Sequence, residues 1–210
     1  MSEYIVIGAG GLARELSDYI EKDKIFGFLA DVKPTEKFLK DKYLGKILKV
    51  KNYRKFKFIF AIANQKSKSS VLKFIKDQKI KIKFVNIVHH TSFISSEVKL
   101  GRGNIIAPQT CISYGCSIGN FNVINFASFL GHNTKLGNYN HLAPKSSIMG
   151  NCKIGNYNYV GANSIIESKI IVGSNNSVLS GSKCLNNIKN NSLVFNNPAR
   201  ISINKTKQKV

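Results

Sequence analysis

The apolar positions of this chain keep two different rhythms, and the change falls near Val88. Before it, short apolar runs alternate with amphipathic stretches. "YIVIG" (residues 4–8) predicts a buried strand, and Leu12, Leu16, Tyr19 and Ile20 then fall on one face of a helix. "IFGFL" (25–29) and "FKFIFAIA" (56–63) read as further strands. Val71, Leu72 and Ile75 mark a second helix, and "IKIKFVNIV" (80–88) reads as one more strand. Alternation of this kind predicts a small parallel α/β domain over residues 1–87.

From Val88 the period becomes six. Every sixth residue from Ile94 to Val178 is Ile, Leu or Val, fifteen positions in succession. These residues make up about a quarter of the chain, so chance agreement is on the order of one in a billion. Glycine often follows the aliphatic residue, as in Leu100-Gly101, Leu136-Gly137 and Ile154-Gly155. A unit of short strand plus turn makes one side of a triangular coil. Its aliphatic residue points to the axis, and small residues or Asn accept the tight turn. Three units close a coil of about 18 residues, and coils stack about 4.8 Å apart. No unit buries its apolar side alone, so stacking builds the core. The expectation is an all-β parallel helix over 88–185 and a C-terminal tail over 186–210. Cys116 and Cys152 then share a column two coils apart, about 9.6 Å, beyond the reach of a disulfide.

Composition narrows the function classes. The chain has 210 residues, 43% of them hydrophobic and 20% charged, which suits one or two globular domains. A net charge of +21 would suit nucleic acid. However, 28 of the 32 basic residues are lysine, no basic run interleaves with aromatics, and base readers lean on the arginine fork. The lysines therefore read as solvated surface charge with some attraction for phosphate-rich ligands, and no nucleic-acid partner is expected. No apolar run approaches the roughly 18 residues of a membrane span, so no membrane insertion is expected. The N-terminus lacks a basic, apolar leader pattern, which points to the cytoplasm. The four cysteines form no CxxC pair. His89 and His90 lie more than two coils from His132, leaving too few imidazoles together for a catalytic zinc, so no metal is expected.

The motifs "IVIGAGGLARE", "GFLAD", "FAIAN", "VHHTSFIS", "VINFASFLGHNTKLGNYNHLAP", "GNCKIG" and "NPAR" follow one another along essentially the whole chain. In that order the sequence resembles the hexapeptide-repeat acyltransferases. More narrowly, it is similar to the nucleotide-sugar acetyltransferases related to sialic acid O-acetyltransferases and UDP-amino-sugar N-acetyltransferases. That resemblance implies a Rossmann-like N-terminal domain followed by a left-handed parallel β-helix, assembled as a homotrimer with inter-subunit active sites. The chain departs from the family at Asn133, where an acid usually follows the histidine. It also carries one aspartate in "GFLAD", Ala63 for a usual Gly, and Asn197 where Gly is usual.

The chemistry expected of single residues follows from this. Gly8, Gly10 and Gly11 let backbone N–H groups approach a pyrophosphate at a helix N-terminus. By resemblance that ligand is the diphosphate of a UDP-sugar, with Asp31 on the base or ribose and Asn64 in the same substrate-binding set. His132 is the candidate general base, since an imidazole titrates near neutrality. Asn133 stands where a carboxylate would orient it, and Asn125, in the substrate-binding set, helps organise the site. By resemblance His141 contacts the acetyl or thiol region of acetyl-CoA. Gly150 would offer an N–H to the thioester oxyanion, Gly161 and Ala162 would line the pantetheine groove, and Lys183 or Arg200 would meet CoA phosphates.

The expected function is acetyl-CoA-dependent N-acetylation of a UDP-linked amino sugar in bacterial surface-glycan biosynthesis. Direct attack is expected because no Cys or Ser is placed as a covalent relay. O-acetylation of a sialic-acid-like sugar is the alternative on the same scaffold, and a non-catalytic or metal-binding β-helix is a remote one.

Overall fold

The computed structural model describes residues 3–203 and divides the chain into two compact units, Met1–Ile87 and Val88–Val210. In the first unit β1 (Tyr4–Ile7), β2 (Ile25–Leu29), β3 (Tyr43–Gly45), β4 (Lys57–Phe60) and β5 (Lys83–Phe84) form one all-parallel sheet of order β3-β2-β1-β4-β5. The helices are α1 (Gly11–Tyr19), α2 (Lys37–Asp41), α3 (Gln65–Asp77) and a 3-10 segment, Ile47–Tyr53. Ile5, Val6 and Ile7 are all buried, the unbroken apolar run of a strand covered on both faces. Leu12, Ala13 and Leu16 of α1 pack into the same core.

Strand order reverses between β1 and β4, which makes a crevice at the carboxyl ends of the strands. Gly8 ends β1 there at φ +115, and a β-carbon on it would fall 2.5 Å from the carbonyl oxygen of Ala61. Only glycine fits that turn.

One stretch of this unit carries no readable pattern, and one expectation needs correction. The stretch between β2 and β4 holds α2, β3 and the 3-10 segment, whose short lengths and lysine-rich sequence display no clean period. The stretch 80–88 is not one strand. Lys83–Phe84 joins the N-terminal sheet, whereas Ile87–Val88 begins the sheet structure of the second unit.

The second unit is a parallel β-helix of three sheets whose strands are two residues long and, through most of its length, recur every 18 residues. One sheet stacks Val123, His141 and Tyr159; a second stacks Phe93, Cys111, Phe129, Ser147 and Ile165; a third stacks Lys99, Ser117, Lys135, Lys153 and Ile171. The second residue of each strand points inward, and the aliphatic column from Ile106 to Val178 is buried. Each such side chain contributes about 1.5–3 kcal/mol of transfer free energy.

Corners use one left-handed residue each, and not only small ones. Phe121, Tyr139 and Tyr157 take φ of 56, 62 and 57. Their strain is offset by bonds between coils, such as Tyr139 N–H to Asn120 O at 2.9 Å, and by ring stacking at 5.8 and 4.6 Å. Beside them runs a buried asparagine ladder, Asn104, Asn122, Asn140, Asn158 and Asn176, in which each side-chain oxygen accepts the backbone N–H of the next rung.

Residues 186–203 are not a separate tail. Ser192–Phe195 continues the His141 sheet in parallel and Arg200–Ile203 adds an antiparallel edge. The register there, Val178 opposite Val194, shortens the last coil to 16 residues, so the period of six ends after Cys184. All four cysteines are free. Among the described residues no helix is long and apolar enough to cross a membrane.

Candidate functional site

His132 sits on the turn between the strands Phe129–Leu130 and Lys135–Leu136. That turn is fixed from both sides: Asn133 N–H donates to Tyr114 O in the coil below, and His132 O accepts from Asn151 N–H in the coil above, both at 2.8 Å. The exposed imidazole leans over Gly150. A β-carbon there would lie 2.6 Å from Nε2, 2.9 Å from Cε1 and 3.0 Å from Cδ2. Gly131 packs against the same residue, since a β-carbon on it would fall 2.5 Å from Gly150 N. The bare Gly150 is the platform under the ring.

Asn133, at φ +57, places Nδ2 3.3 Å from His132 Nδ1. An amide so placed orients the ring but brings no charge.

His141 is elsewhere on the coil. It is the outward residue of its strand, half-buried, with Tyr159 edge-on at 5.4 Å in the next coil. His132 thus occupies the corner between the Phe129 and Lys135 sheets, whereas His141 lies on the face of the third. Asn125 directly follows the strand Val123–Ile124 of the His141 sheet, and its Oδ1 accepts from Phe126 N–H at 2.8 Å. Gly161 and Ala162 follow Val160 at the same corner as Asn125, two coils up. Gly161 is packed against Ser180 N, and Ala162 O accepts from Gly181 N–H at 2.8 Å.

Lys183 Nζ pairs with Glu167 at 3.3 Å, and Arg200 is exposed on the edge strand opposite Phe195. Among the described residues no group of three or more His, Cys, Asp or Glu side chains could hold a metal. The rings of His89 and His90 lie against each other at 4.2 Å, tilted by 34°.

In the N-terminal unit the turn after β1 opens directly into α1. Gly10 is its N-cap without any side-chain cap, and β-carbons at Gly10 and Gly11 would meet nothing within 4 Å. The helix N-terminus therefore faces open space, as anion binding requires. Beside it lies a cavity of about 380 Å³ lined by Ala9, Gly10, Arg14, Ala30, Lys33 and Thr35, among others. Glu36, also on its wall, is held below the usual carboxylate range by N–H groups of Leu39 and Phe38 that it caps.

Asp31 is not in that cavity. Its Oδ1 accepts from Ile47 N–H at 3.2 Å, and the residue lines a separate space of about 260 Å³ with Leu48, Ser70, Val71 and Phe74. The chain bends at Asp31 directly after β2, so Ala30 and Asp31 face different spaces. Asn64 caps α3, accepting from Ser67 N–H at 3.0 Å.

Sequence reasoning passed over Arg14, Lys33 and Tyr159. A lone arginine on a helix reads as solvated surface, yet its place one turn into α1 beside an uncapped N-terminus was a usable signal. Tyr159 is one coil of 18 from His141, which the period itself discloses.

Residues 3–75 match the PglD N-terminal domain, and residues 133–168 match the bacterial transferase hexapeptide repeat. No curated protein matches the chain at a significant level. The fold is similar to that of a mutant perosamine N-acetyltransferase from Caulobacter crescentus in complex with CoA and GDP-perosamine, at 21% identity and a TM-score of 0.88, covering 96% of this chain and 97% of that one. It is also similar to the acetyltransferase domain of PglB from Neisseria gonorrhoeae in complex with acetyl coenzyme A, at 22% identity and a TM-score of 0.80, covering 94% and 98%. A third similar structure is WeeI from Acinetobacter baumannii, at 23% identity and 0.79, covering 96% and 100%. The chain thus carries a match to the PglD N-terminal domain in its first unit and a match to the bacterial transferase hexapeptide in its second, on a fold shared with these three structures.

Proposed function

We propose that this protein transfers the acetyl group of acetyl-CoA to the amine of a nucleotide-linked sugar, within surface-glycan biosynthesis. The observation that carries the reading is the exposed imidazole of His132 standing over the bare Gly150. The ligands of the similar structures, CoA with GDP-perosamine and acetyl coenzyme A, support the same donor and acceptor class. A UDP-sugar is the expected acceptor, and the GDP-sugar of the Caulobacter enzyme makes the second nucleotide to try.

In this reading the diphosphate lies at the open N-terminus of α1, with the Arg14 guanidinium in the same cavity. The sugar nitrogen attacks the thioester carbon, a C–N bond forms, the C–S bond breaks and the thiolate of CoA leaves. His132 takes the proton shed by the nitrogen, and Gly150 lies close to the reacting atoms. Direct attack is supported by the state of three of the four thiols: burial pushes Cys116 and Cys152 above the ordinary range and Cys184 up to about 11, which suits none of these three as a covalent relay.

The same reading calls for a homotrimer, because His132 and His141 lie on different sides of one coil. The faces support it: Lys99, Lys135 and Lys153 line one exposed sheet, whereas Phe129, Ser147 and Ile165 line a half-buried one. A closed C₃ arrangement packs the less polar faces and leaves the lysines in water. The soluble two-domain organisation also suits a cytoplasmic enzyme acting before the sugar reaches a membrane.

The test is incubation with acetyl-CoA and a panel of UDP- and GDP-linked amino sugars, followed by mass spectrometry. One acetyl group gained by a panel member is expected, with a loss of about 10²–10⁴-fold in rate for His132→Ala at nearly unchanged acetyl-CoA affinity. Transfer to no member would overturn the reading; a His132→Ala rate within a few-fold of wild type would remove the base.

A further inference from the structure

We infer that Asn133 restricts this site to amine acceptors and makes it a poor acetylator of hydroxyl groups. The inference rests on the transfer reading above and names the feature that selects the nucleophile. The amide is held in place. Its backbone N–H is bonded to Tyr114 O at 2.8 Å, and its Oδ1 packs against Gly115, where a β-carbon would fall 2.5 Å away. Nδ2 is left 3.3 Å from His132 Nδ1. No carboxylate of the β-helix takes its place: from Ile94 to Val210 the only acids are Glu97 and Glu167, and Glu167 is paired with Lys183 at 3.3 Å.

The consequence lies in the proton. With Nδ2 facing Nδ1, the neutral ring carries its hydrogen on Nε2 and cannot accept another there. The amide must turn over, presenting Oδ1 to an Nδ1–H, before Nε2 is free. Even then a neutral oxygen does not offset the charge of the imidazolium. A hydroxyl acceptor needs that base while its oxygen attacks. In the Ser-His-Asp proteases, exchanging the orienting aspartate for asparagine costs such a hydroxyl reaction about 10⁴-fold. A free amine attacks with its own lone pair. Its proton leaves afterwards, from a cationic nitrogen acidic enough for a ring that is only part of the time in the competent form. Asn133 therefore suffices for amide formation and fails ester formation. It is a positioning residue, acting through His132.

The experiment compares wild type, Asn133→Asp and Asn133→Gly on UDP- and GDP-linked amino sugars, each paired with the nucleotide sugar bearing a hydroxyl at the same carbon. Aspartate and glycine are both at home at φ +57, so neither exchange strains the turn. Amide and ester products are separated by mild alkali, which cleaves only the ester. Wild type is expected to act on the hydroxyl partner at least about 100-fold more slowly than on the amine. Asn133→Asp should raise the hydroxyl rate about tenfold or more and by a clearly larger factor than the amine rate, and Asn133→Gly should not raise the hydroxyl rate at all. Comparable ester formation by wild type, or an unchanged hydroxyl-to-amine ratio in Asn133→Asp, overturns the inference while leaving acetyl transfer standing. Transfer to neither kind of acceptor overturns the transfer reading itself.

Discussion

The imidazole of His132 rests its distal edge on Gly150, one coil above it in the β-helix. The contact is the far end of a mobile side chain, and Gly150 does not have a positive φ. Gly150→Ala should therefore fold well, with thermal unfolding within a few degrees of wild type, while the new methyl group pushes the ring off its platform. A fall in turnover of at least about tenfold is expected, because misplacing a catalytic group by about 1 Å costs up to roughly 100-fold. Circular dichroism and turnover measured on the same sample separate the two effects. Full activity in a well-folded Gly150→Ala protein would show that the platform has no part in the reaction.

Arg14 lies one turn into α1 and lines the cavity beside the uncapped helix N-terminus. Arg14→Ala is expected to raise the KM for the nucleotide sugar about tenfold and leave that for acetyl-CoA unchanged, since charge-assisted hydrogen bonds contribute about 1.5–3 kcal/mol. Asp31→Ala should raise the same KM if Asp31 meets the nucleotide, but it also removes the acceptor of Ile47 N–H and so should lower the melting temperature. Asp31→Asn keeps an acceptor and separates the two roles. A shift confined to the acetyl-CoA term in either protein would mean the wrong domain holds the nucleotide.

How much of this was legible depends on what each position must exclude. The axis of the β-helix admits only aliphatic side chains, so Ile94 to Val178 announce themselves at every sixth residue. Its corners are permissive because bonds between coils carry the turn, and Tyr139 and Tyr157 sit where Asn or Gly was expected. In the first unit the buried β1 and β2 stand out, whereas β3 and the 3-10 segment depend on tertiary contacts such as Phe28 N–H to Lys42 O at 2.9 Å. His132 and Asn133 could be read as a pair because they are adjacent. That Gly150 lies under the ring follows from the 18-residue coil. The direction in which Asp31 points could be learned only from the backbone at the end of β2.

Asn140 is a rung of the buried ladder: its Nδ2 donates to Gly155 O at 2.9 Å, and its Oδ1 accepts Asn158 N–H at 2.8 Å. Asn140→Ala leaves that buried N–H and carbonyl unsatisfied, at about 1–3 kcal/mol for each group. For a chain of this size each kcal/mol moves the midpoint by about 2–4 °C, so a drop of roughly 5–15 °C is expected in differential scanning calorimetry. A midpoint within about 2 °C of wild type would mean that water replaces the ladder.

His132 and His141 are separated by nine residues, half of one coil, and stand on different sides of it. If both act on one acetyl group, His141 must come from a neighbouring protomer, which is the assembly argument for three inter-subunit sites. His132→Ala and His141→Ala chains should each form trimers of low activity. When the two are unfolded together and reassembled, mixed trimers should regain activity, because some interfaces then bring an intact His132 against an intact His141. At equal mixing about one interface in four is intact across the whole pool, and one in three within each mixed trimer, so recovery towards a quarter of wild-type turnover is expected before selection and towards a third after it. Tagged chains purified through both tags verify the mixing. Mixed trimers no more active than their parents, or an active monomer at assay concentration, would rule out the shared site and leave His132 to act with groups of its own chain.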